Sequence, residues 1–140
     1  MKISARNVLE GKVRNVTKGA VNAQITLVQV GGEHIVSIIT NSSVDSLGLE
    51  DGKSAYAIIK ASEVIVGKNV DAAKLSARNV LAGEVSSVLD GAVNSEVAIR
   101  LLGDNTIVAS ITKESVKMLG LQQGDQVSAI VKASNMMIGV

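Results

Sequence analysis

Apolar and polar residues alternate along most of the chain, and the same order of alternating segments occurs twice. The stretches "VLEGKVRNV" from Val8 and "VLAGEVSSV" from Val80 alternate almost regularly around a glycine, which predicts a strand with a bulge or bend. After a tight turn at "GAVN", the stretches "AQITLVQV" from Ala23 and "SEVAIRLL" from Ser95 alternate with a period of two. "IVSIIT" and "IVASIT" follow a further polar turn, so each half of the chain begins with three predicted strands.

One short helix is predicted after the third strand of each half. Thr40 and Thr112 suit the residue that caps the start of a helix, and Gly48 and Gly120 suit the left-handed residue that ends one. Two more short strands then meet near a Lys-Ala-Ser sequence. This order of elements within about 65 residues is compatible with a small OB-like barrel. We therefore predict an all-β fold of two tandem OB-like five-stranded β-barrels, each with one short helix.

The two halves of the chain are copies of one unit. A shift of about 72 residues aligns "SARNVL" at Ser4 with the same sequence at Ser76. The register continues without a gap to Gly67 and Gly139, with close to half of the positions identical. Between the copies, "KNVDAAK" is polar enough to be a short linker. The predicted division is a first domain at 2–67, a linker at 68–73 and a second domain at 74–140.

Composition narrows the kind of core and the kind of chemistry. The chain is 46% hydrophobic but has one Tyr and no Phe or Trp, so its core must be built from Val, Ile, Leu and Ala. The absence of Cys excludes disulfides, thiolate metal ligands and thiol nucleophiles. Two very small units are hard to stabilise without a partner surface, so we expect the chain of 140 residues to form an oligomer.

Charge and hydropathy argue against nucleic acids and membranes as partners. The formal net charge is +1, and no block of Lys and Arg stands out along the chain. No apolar stretch is long enough to span a membrane, and the start, "MKISARN", does not resemble a signal peptide. We therefore expect a soluble cytoplasmic protein with no nucleic-acid partner and no membrane partner.

The candidate catalytic residues are not kept in both copies. His34, the one histidine, lies in a polar turn and is replaced by Thr106 in the second copy. Most carboxylates fail the same comparison; Glu33, for example, is replaced by Asn105. No carboxylate pair and no metal-ligand spacing survives the duplication. We therefore expect no enzyme activity, no cofactor and no bare metal cation.

The polar residues kept in both copies are rich in hydrogen-bond donors and poor in acids. Hydroxyls, amides and backbone N–H groups can donate to an oxyanion, and Lys or Arg supplies compensating charge. The stretch from Thr40 to Ser43 also opens the predicted helix, where free N–H groups favour anions. Each residue also has a purely structural explanation, as a cap, a turn residue or an exposed charge. The set is Ser4, Arg6, Asn7, Asn22, Thr40, Ser43, Lys60 and Ser62, with Ser76, Arg78, Asn79, Asn94, Thr112, Ser115, Lys132 and Ser134 in the second copy.

Four sequence blocks in a fixed order carry a family resemblance. "SARN", "GAVN", "IT..S...LGL..G" and "KAS" resemble the Mop domain, the molybdate-binding unit of the molbindins and of TOBE domains attached to molybdate transporters and regulators. The resemblance covers both repeats and nearly the whole chain. Two Mop units in tandem are similar to the di-Mop molbindins, which bind molybdate or tungstate and are thought to store or buffer it inside the cell.

The resemblance implies a homotrimer of OB-like barrels with two classes of molybdate site. Interface sites would join the "SARN" and "KAS" segments of one unit to a Thr and a Ser of a neighbouring unit; a second class would lie at the "GAVN" turns near a threefold axis. Asp90 in place of Lys18, beside the second turn, would weaken anion binding there. The implied interface residues are Ser4, Ala5, Arg6, Asn7, Lys60, Ala61 and Ser62 with Thr40 and Ser43, and Ser76, Ala77, Arg78, Asn79, Lys132, Ala133 and Ser134 with Thr112 and Ser115. The implied threefold-axis residues are Gly19, Ala20, Val21 and Asn22, and Gly91, Ala92, Val93 and Asn94.

Three functions compete at this point. The leading hypothesis is non-catalytic binding of molybdate and tungstate for intracellular molybdenum storage or homeostasis. The alternative is a molybdate-sensing regulatory or accessory module that acts on a protein partner, although neither a helix-turn-helix segment nor a Walker P-loop occurs in the chain. A third function, binding of single-stranded nucleic acid, requires stacking aromatic residues and a basic groove, and the chain has a single Tyr.

Overall fold

The alternating segments are strands in the computed structural model, which describes residues 1–140. The predicted all-β fold, with two five-stranded sheets and one short helix in each repeat, is confirmed. In the first repeat the elements are β1 (Asn7–Lys18), β2 (Asn22–Val28), β3 (His34–Thr40), α1 (Asn41–Leu47), β4 (Ser54–Ile59) and β5 (Ile65–Gly67). In the second repeat they are β6 (Asn79–Asp90), β7 (Asn94–Leu101), β8 (Thr106–Thr112), α2 (Lys113–Leu119), β9 (Gln126–Val131) and β10 (Met137–Gly139). No helix is long and apolar enough to cross a membrane.

Each repeat gives its last strand to the sheet of the other repeat. The strand order is β10-β4-β1-β2-β3 in the first sheet and β5-β9-β6-β7-β8 in the second, and all pairs are antiparallel. Met137 pairs with Ile58 in the first sheet, and Val66 pairs with Ala129 in the second. Alternation alone does not predict this exchange, because it does not say which sheet a strand joins.

The long first strand of each repeat has a register shift a few residues after its glycine. The register of β1 against β2 shifts between Val13 and Asn15, which is the predicted bulge. A Cβ atom at Gly11 would lie 2.9 Å from the carbonyl oxygen of Val28, so only glycine permits this approach of the two strands. Gly83 occupies the equivalent place in β6, and the register of that strand shifts between Val85 and Ser87.

Both helices begin and end as the sequence predicts. The hydroxyl oxygen of Thr40 accepts a hydrogen bond from the backbone N–H of Ser43 at 3.1 Å. Gly48 ends α1 in the left-handed region with φ of 61°. Thr112 and Gly120 repeat this arrangement around α2. The caps are therefore confirmed, and each capping hydroxyl has a structural partner.

One continuous apolar core joins the two repeats. It comprises 25 buried residues from both copies, all aliphatic or Met. Ile25 and Ile35 of the first repeat and Ile99 and Ile107 of the second are among its largest fully buried side chains. Because neither sheet is complete without the other repeat, the two copies bury their apolar faces as one unit.

Two buried asparagines fasten the boundary between the repeats. The Asn7 amide donates to the carbonyl oxygen of Val108 at 2.8 Å and accepts from the N–H of the same residue at 2.7 Å. Asn79 makes the matching pair with Val36, at 2.7 and 2.8 Å. Both asparagines are only 1% exposed. Each amide thus satisfies a peptide group of the opposite repeat in the way that a neighbouring strand would.

The linker is attached to the second repeat by its first residue. The Lys68 ammonium lies 3.0 Å from a carboxylate oxygen of Asp125 and donates to the carbonyl oxygen of Leu119, at the end of α2. In the first repeat, Lys53 donates to the equivalent carbonyl of Leu47. The hydrogen bond from Lys68 lowers the pKa of Asp125 below its ordinary value. The second copy has Asp125 at the position of Lys53, so Lys68 supplies the ammonium group that this position lacks.

Candidate functional site

The "SAR" and "KAS" segments must meet because of the strand register. Asn7, the first residue of β1, lies opposite Ile59, the last residue of β4. Residues just before β1 and just after β4 are therefore neighbours at one end of the sheet. The second repeat has the same register, with Asn79 opposite Val131. The short 3-10 turn Ala61–Glu63 then carries the chain away from this end.

Two open grooves lie at these meeting points. The first groove has a cavity volume of about 410 Å³, and the second groove of about 330 Å³. Each combines the "SAR" and "KAS" segments of one repeat with a residue of the exchanged strand from the other repeat. The first groove is lined by Ile3, Ser4, Ala5, Arg6, Lys60, Ala61, Ser62 and Met137. The second groove is lined by Ile38, Ile65, Leu75, Ser76, Ala77, Arg78, Ile130, Lys132, Ala133 and Ser134.

Each groove carries two cations in different surroundings. Lys60 and Lys132 are exposed and take part in none of the salt bridges of the chain. Arg6 instead reaches the opposite repeat, where its Nη1 atom lies 2.6 Å from a carboxylate oxygen of Glu96. Arg78 donates to the amide oxygen of Gln24 at 2.8 Å. The lysines are thus free to face an anion, whereas the arginines already have partners.

The rims of the grooves are apolar and uncovered. Met137 beside the first groove is 56% exposed, and Ile65 beside the second is 59% exposed. Ile3 and Leu75 are exposed as well. A single chain therefore leaves the donor groups of each groove next to apolar side chains that a further surface would bury.

Thr40 and Ser43 do not line either groove of their own chain. Their hydroxyl oxygens lie 2.9 Å apart, and the Thr40 hydroxyl caps α1. Thr112 and Ser115 form the same pair at the start of α2. The expectation that these residues complete a site in a neighbouring subunit stays a prediction.

Asn7 and Asn79 have a structural role at the boundary between the repeats. The sequence comparison grouped them with the anion donors, but they are buried and absent from the lining of both grooves. Their amide atoms are directed at the backbone of the opposite repeat. The two side chains therefore join the repeats, and their expected place among the anion-binding residues stays a prediction.

The "GAVN" turns are exposed and separate from the grooves. The N–H of Gly19 donates to the carbonyl oxygen of Asn22 at 2.7 Å, and Gly91 makes the same bond to Asn94 at 2.8 Å. Ala20 and Val21 are exposed in the first turn, as are Ala92 and Val93 in the second. The Asn41 side chain donates to the carbonyl oxygen of Gly19 at 2.9 Å, which fixes the first turn against α1. The expected threefold-axis sites at these turns stay a prediction.

The charges beside these turns are exchanged between the repeats. Lys18 pairs with Asp45 at 2.6 Å in the first repeat. The equivalent residues in the second repeat are Asp90 and Lys117, and there Asp90 accepts a hydrogen bond from the Ser95 hydroxyl at 2.7 Å. The sum of the two charges is zero in both copies. The replacement of Lys18 by Asp90 therefore changes the local charge less than the sequence comparison at that one position implies.

The chemistry of the grooves is that of anion binding. The chain has no group of three or more His, Cys, Asp and Glu side chains placed to hold a metal ion. His34 is exposed at the start of β3. Hydroxyls, ammonium groups and guanidinium groups, in contrast, are the donors that a tetrahedral oxyanion requires.

Comparison with known proteins agrees with this chemistry. The sequence profile of the TOBE domain matches residues 3–66 and 75–138. The chain belongs to the TOBE domain family. Both copies of the TOBE unit carry the segments that form the grooves.

Several relatives of this TOBE protein are named for molybdenum. The molybdenum-pterin-binding protein MopA of Rhodobacter capsulatus is 38% identical over 140 residues, which are 100% of this chain and 53% of MopA. The molybdenum transport protein ModE of Herbaspirillum seropedicae is 36% identical over 100% of this chain and 52% of its own length. The chain thus spans about half the length of these curated relatives. A probable molybdenum-pterin-binding protein of Haemophilus influenzae is 51% identical over 67 residues, 48% of this chain and 97% of that protein.

A solved structure matches the TOBE chain over its full length. It is the cytoplasmic molybdate-binding protein ModG in a crystal form with molybdate bound. The two chains are 44% identical with a TM-score of 0.96, and the match covers 100% of this chain and 99% of ModG. The likeness therefore extends to the arrangement of both repeats.

Sequence reasoning missed two groups of residues at the grooves. The first group comprises apolar residues from the exchanged strands, Ile65 and Met137, which the alternation pattern does not connect with the other repeat. The second comprises the arginine partners Glu96 and Gln24. These two partners occupy equivalent positions but differ in residue type, so a search for residues kept in both copies passes over them.

Proposed function

We propose that the chain binds molybdate and tungstate in its two grooves and serves as a non-catalytic molybdenum store or buffer in the cytoplasm. The main support is that each groove contains hydroxyls, a lysine without a salt bridge and an arginine at the boundary between the repeats. The same arrangement occurs twice in the chain. The full-length likeness to ModG, which is described as cytoplasmic and has molybdate bound, supports the choice of ligand and compartment.

The proposed binding depends on replacing the hydration shell of a dianion. Molybdate loses hydrogen bonds to water when it enters a groove, and this cost must be offset by donors placed around it. Ser4 and Ser62 supply hydroxyls in the first groove, and Lys60 supplies a charge that takes part in no salt bridge. No bond to the anion forms or breaks. Selectivity over sulfate then depends mainly on the size of the completed cavity, since the two anions share charge and shape.

We further propose that the complete sites form in a homotrimer. The apolar rims at Met137 and Ile65 are exposed in one chain, and a neighbouring subunit that covers them would also exclude water from the anion. Thr40 and Ser43 lie outside both grooves of their own chain and would be supplied to a groove by that neighbour. Because the anion would contact two subunits, its binding would stabilise the assembly.

A regulatory or accessory role is the second candidate. It is favoured by the comparison with MopA and ModE, because the whole of this chain matches only about half of each of these relatives. A sensing module would change its affinity for a protein partner when molybdate binds, whereas a store would not. Capture of a defined partner from cell extract only with molybdate present, or only without it, would favour sensing.

Titration of the purified chain tests the proposed function. We expect calorimetry and native mass spectrometry to show several molybdate or tungstate ions per oligomer and little sulfate. Lys60→Ala together with Lys132→Ala should empty the groove sites while any sites at the "GAVN" turns keep their anion. Lys74→Ala is the matched control, because Lys74 is an exposed lysine outside both grooves. No uptake of molybdate, or equal uptake of sulfate, would contradict the proposal.

A further inference from the structure

The two grooves differ in the residue that holds their arginine. Gln24 of β2 and Glu96 of β7 occupy equivalent positions in the two copies. Because each arginine reaches across the boundary, Arg6 of the first groove contacts Glu96, whereas Arg78 of the second contacts Gln24. One arginine is therefore paired with a negative charge and the other with a neutral amide.

We propose that this difference makes the grooves unequal anion sites, with the second groove binding the oxyanion more tightly than the first. The inference rests on the proposed function, since it assigns affinities to the same grooves. Glu96 and Gln24 act through the arginines and through their own charge. They are positioning residues that set affinity.

Glu96 weakens anion binding in the first groove through two electrostatic effects. Its carboxylate occupies the Arg6 guanidinium at 2.6 Å, so the arginine must share its donors or leave its partner when an anion binds. The carboxylate also repels a dianion in the adjacent groove, and both side chains are partly exposed, so solvent weakens the repulsion without removing it. Gln24 orients Arg78 in the same way but adds no charge.

A second pair of equivalent positions also differs in charge between the copies. Glu63 belongs to the 3-10 turn that follows Lys60, whereas the equivalent residue after Lys132 is Asn135. The Asn135 amide donates to a carboxylate oxygen of Glu63 at 2.9 Å, so these two residues meet at the boundary between the repeats. Because Glu63 and Asn135 contact each other and line neither groove, the proposed inequality rests on Glu96 and Gln24.

Unequal sites would widen the concentration range over which the chain takes up and releases its ligand. The second groove would fill first and would hold its anion when the supply falls. The first groove would fill only at higher concentration and would be the first to release. A store with both kinds of site responds to supply more gradually than one with identical sites.

The test exchanges the two partner residues in chains that keep one working groove. Lys132→Ala leaves the first groove, and Lys60→Ala leaves the second. On the first background we expect Glu96→Gln to tighten molybdate binding by about three- to tenfold at low salt. On the second background we expect Gln24→Glu to weaken binding by a similar factor, and we expect both effects to shrink as ionic strength rises. The same two substitutions in the otherwise unchanged chain should shift the weakest and the tightest binding constants, respectively.

Glu84→Gln is the matched control for net charge. Glu84 forms a salt bridge of similar exposure with Arg100 at 3.0 Å, and it lies five residues along β6 from Asn79, or about 17 Å from that end of the sheet. If neither Glu96→Gln nor Gln24→Glu changed the affinity for molybdate, or if Glu84→Gln had an equal effect, the proposed difference in affinity between the grooves would be wrong while molybdate binding itself would stand. Failure of the unsubstituted chain to bind molybdate would instead overturn the proposed function itself.

Discussion

At the scale of single residues, the tetrapeptide "SARN", which occurs in both repeats, contributes to a groove and to the boundary between the repeats. In "SARN", the Ser and Arg line a groove, while the Asn turns inward and pairs with a peptide group of the other repeat. An asparagine amide has one donor and one acceptor side, which match the N–H and C=O of a residue such as Val108. Because Asn7 directly follows Arg6, its hydrogen bonds to Val108 also hold the adjoining groove segment at the boundary between the repeats.

Replacing Asn7 by Ala should destabilise the fold without acting directly on the anion. The substitution removes two buried hydrogen bonds and leaves the N–H and C=O of Val108 unpaired, so we expect a loss of about 2–4 kcal/mol in the free energy of unfolding. Chemical denaturation measures this loss. Asn15→Ala, at an exposed position of the same strand, should change the free energy of unfolding little. An equally small effect of Asn7→Ala would contradict the role assigned to Asn7.

Glu33 should make stability depend on pH in a definite direction. Its Oε1 atom is buried without a hydrogen-bond partner, and burial raises the pKa of this carboxyl above its ordinary value of 4.5. The folded state therefore binds this proton more tightly than the unfolded chain, so the contribution is full below pH 4.5 and is lost as the pH rises through the folded pKa.

Glu33→Gln should accordingly stabilise the protein at neutral pH, by about 1 kcal/mol or less. The gain should disappear below the ordinary pKa of the carboxyl. Melting temperatures at a series of pH values measure this, with Glu50→Gln as an exposed control. A gain that is the same at acid and neutral pH would show that burial of the charge is not its cause.

The residues of the grooves could be predicted from sequence only in part. Comparison of the copies found the Ser, Arg and Lys positions, because both repeats keep them and their side chains can donate to an anion. It could not reveal the structural role of Asn7 and Asn79, because residues kept for folding and residues kept for binding look alike in two copies of one unit. The partner of Asn7 lies 101 residues away, and no local pattern indicates it.

At the scale of elements, the exchange of β5 and β10 determines where the grooves lie. Each exchanged strand brings one apolar residue to the rim of the other repeat's groove, Met137 to the first and Ile65 to the second. The strands, the helices and their caps could be predicted, since each depends on local alternation or on a cap residue. The exchange could not, because a short strand that follows a similar sequence in both copies fits either sheet equally well.

We expect the contacts of Lys68 with Asp125 and with the end of α2 to stabilise the fold, and this stabilisation should depend on pH. Lys68→Met removes the ammonium that contacts Asp125 and the end of α2, so we expect the melting temperature at pH 7 to fall by a few degrees. The pKa of Asp125 is lowered in the folded state, so its stabilisation is present above its ordinary value of 3.8 and is lost as the pH falls through the folded pKa. The difference between the two proteins should therefore shrink in acid.

The control for this prediction is Lys74→Met, at an exposed lysine of the 3-10 turn Ala72–Lys74 in the same connecting segment. It should leave the melting temperature nearly unchanged. A loss on Lys68→Met that grows toward acid pH would contradict the assigned pairing with Asp125.

At the scale of the whole molecule, the duplication does more than place two units side by side. The shared core and the exchanged strands make the two repeats one structural unit, and both grooves open at the boundary between them. Any change that separates the repeats should therefore disturb folding and anion binding together. The proposed trimer extends the same principle, since a further subunit would cover the exposed rims in the way that each repeat already completes the other.

Diffraction from crystals grown with molybdate, measured at the molybdenum absorption edge, tests the central claim most directly. We expect anomalous peaks in both grooves, each within hydrogen-bonding distance of the "SAR" and "KAS" segments, with higher occupancy at the Arg78 groove when molybdate is limiting. Peaks that occur only elsewhere on the protein, with both grooves empty at saturating molybdate, would contradict the account.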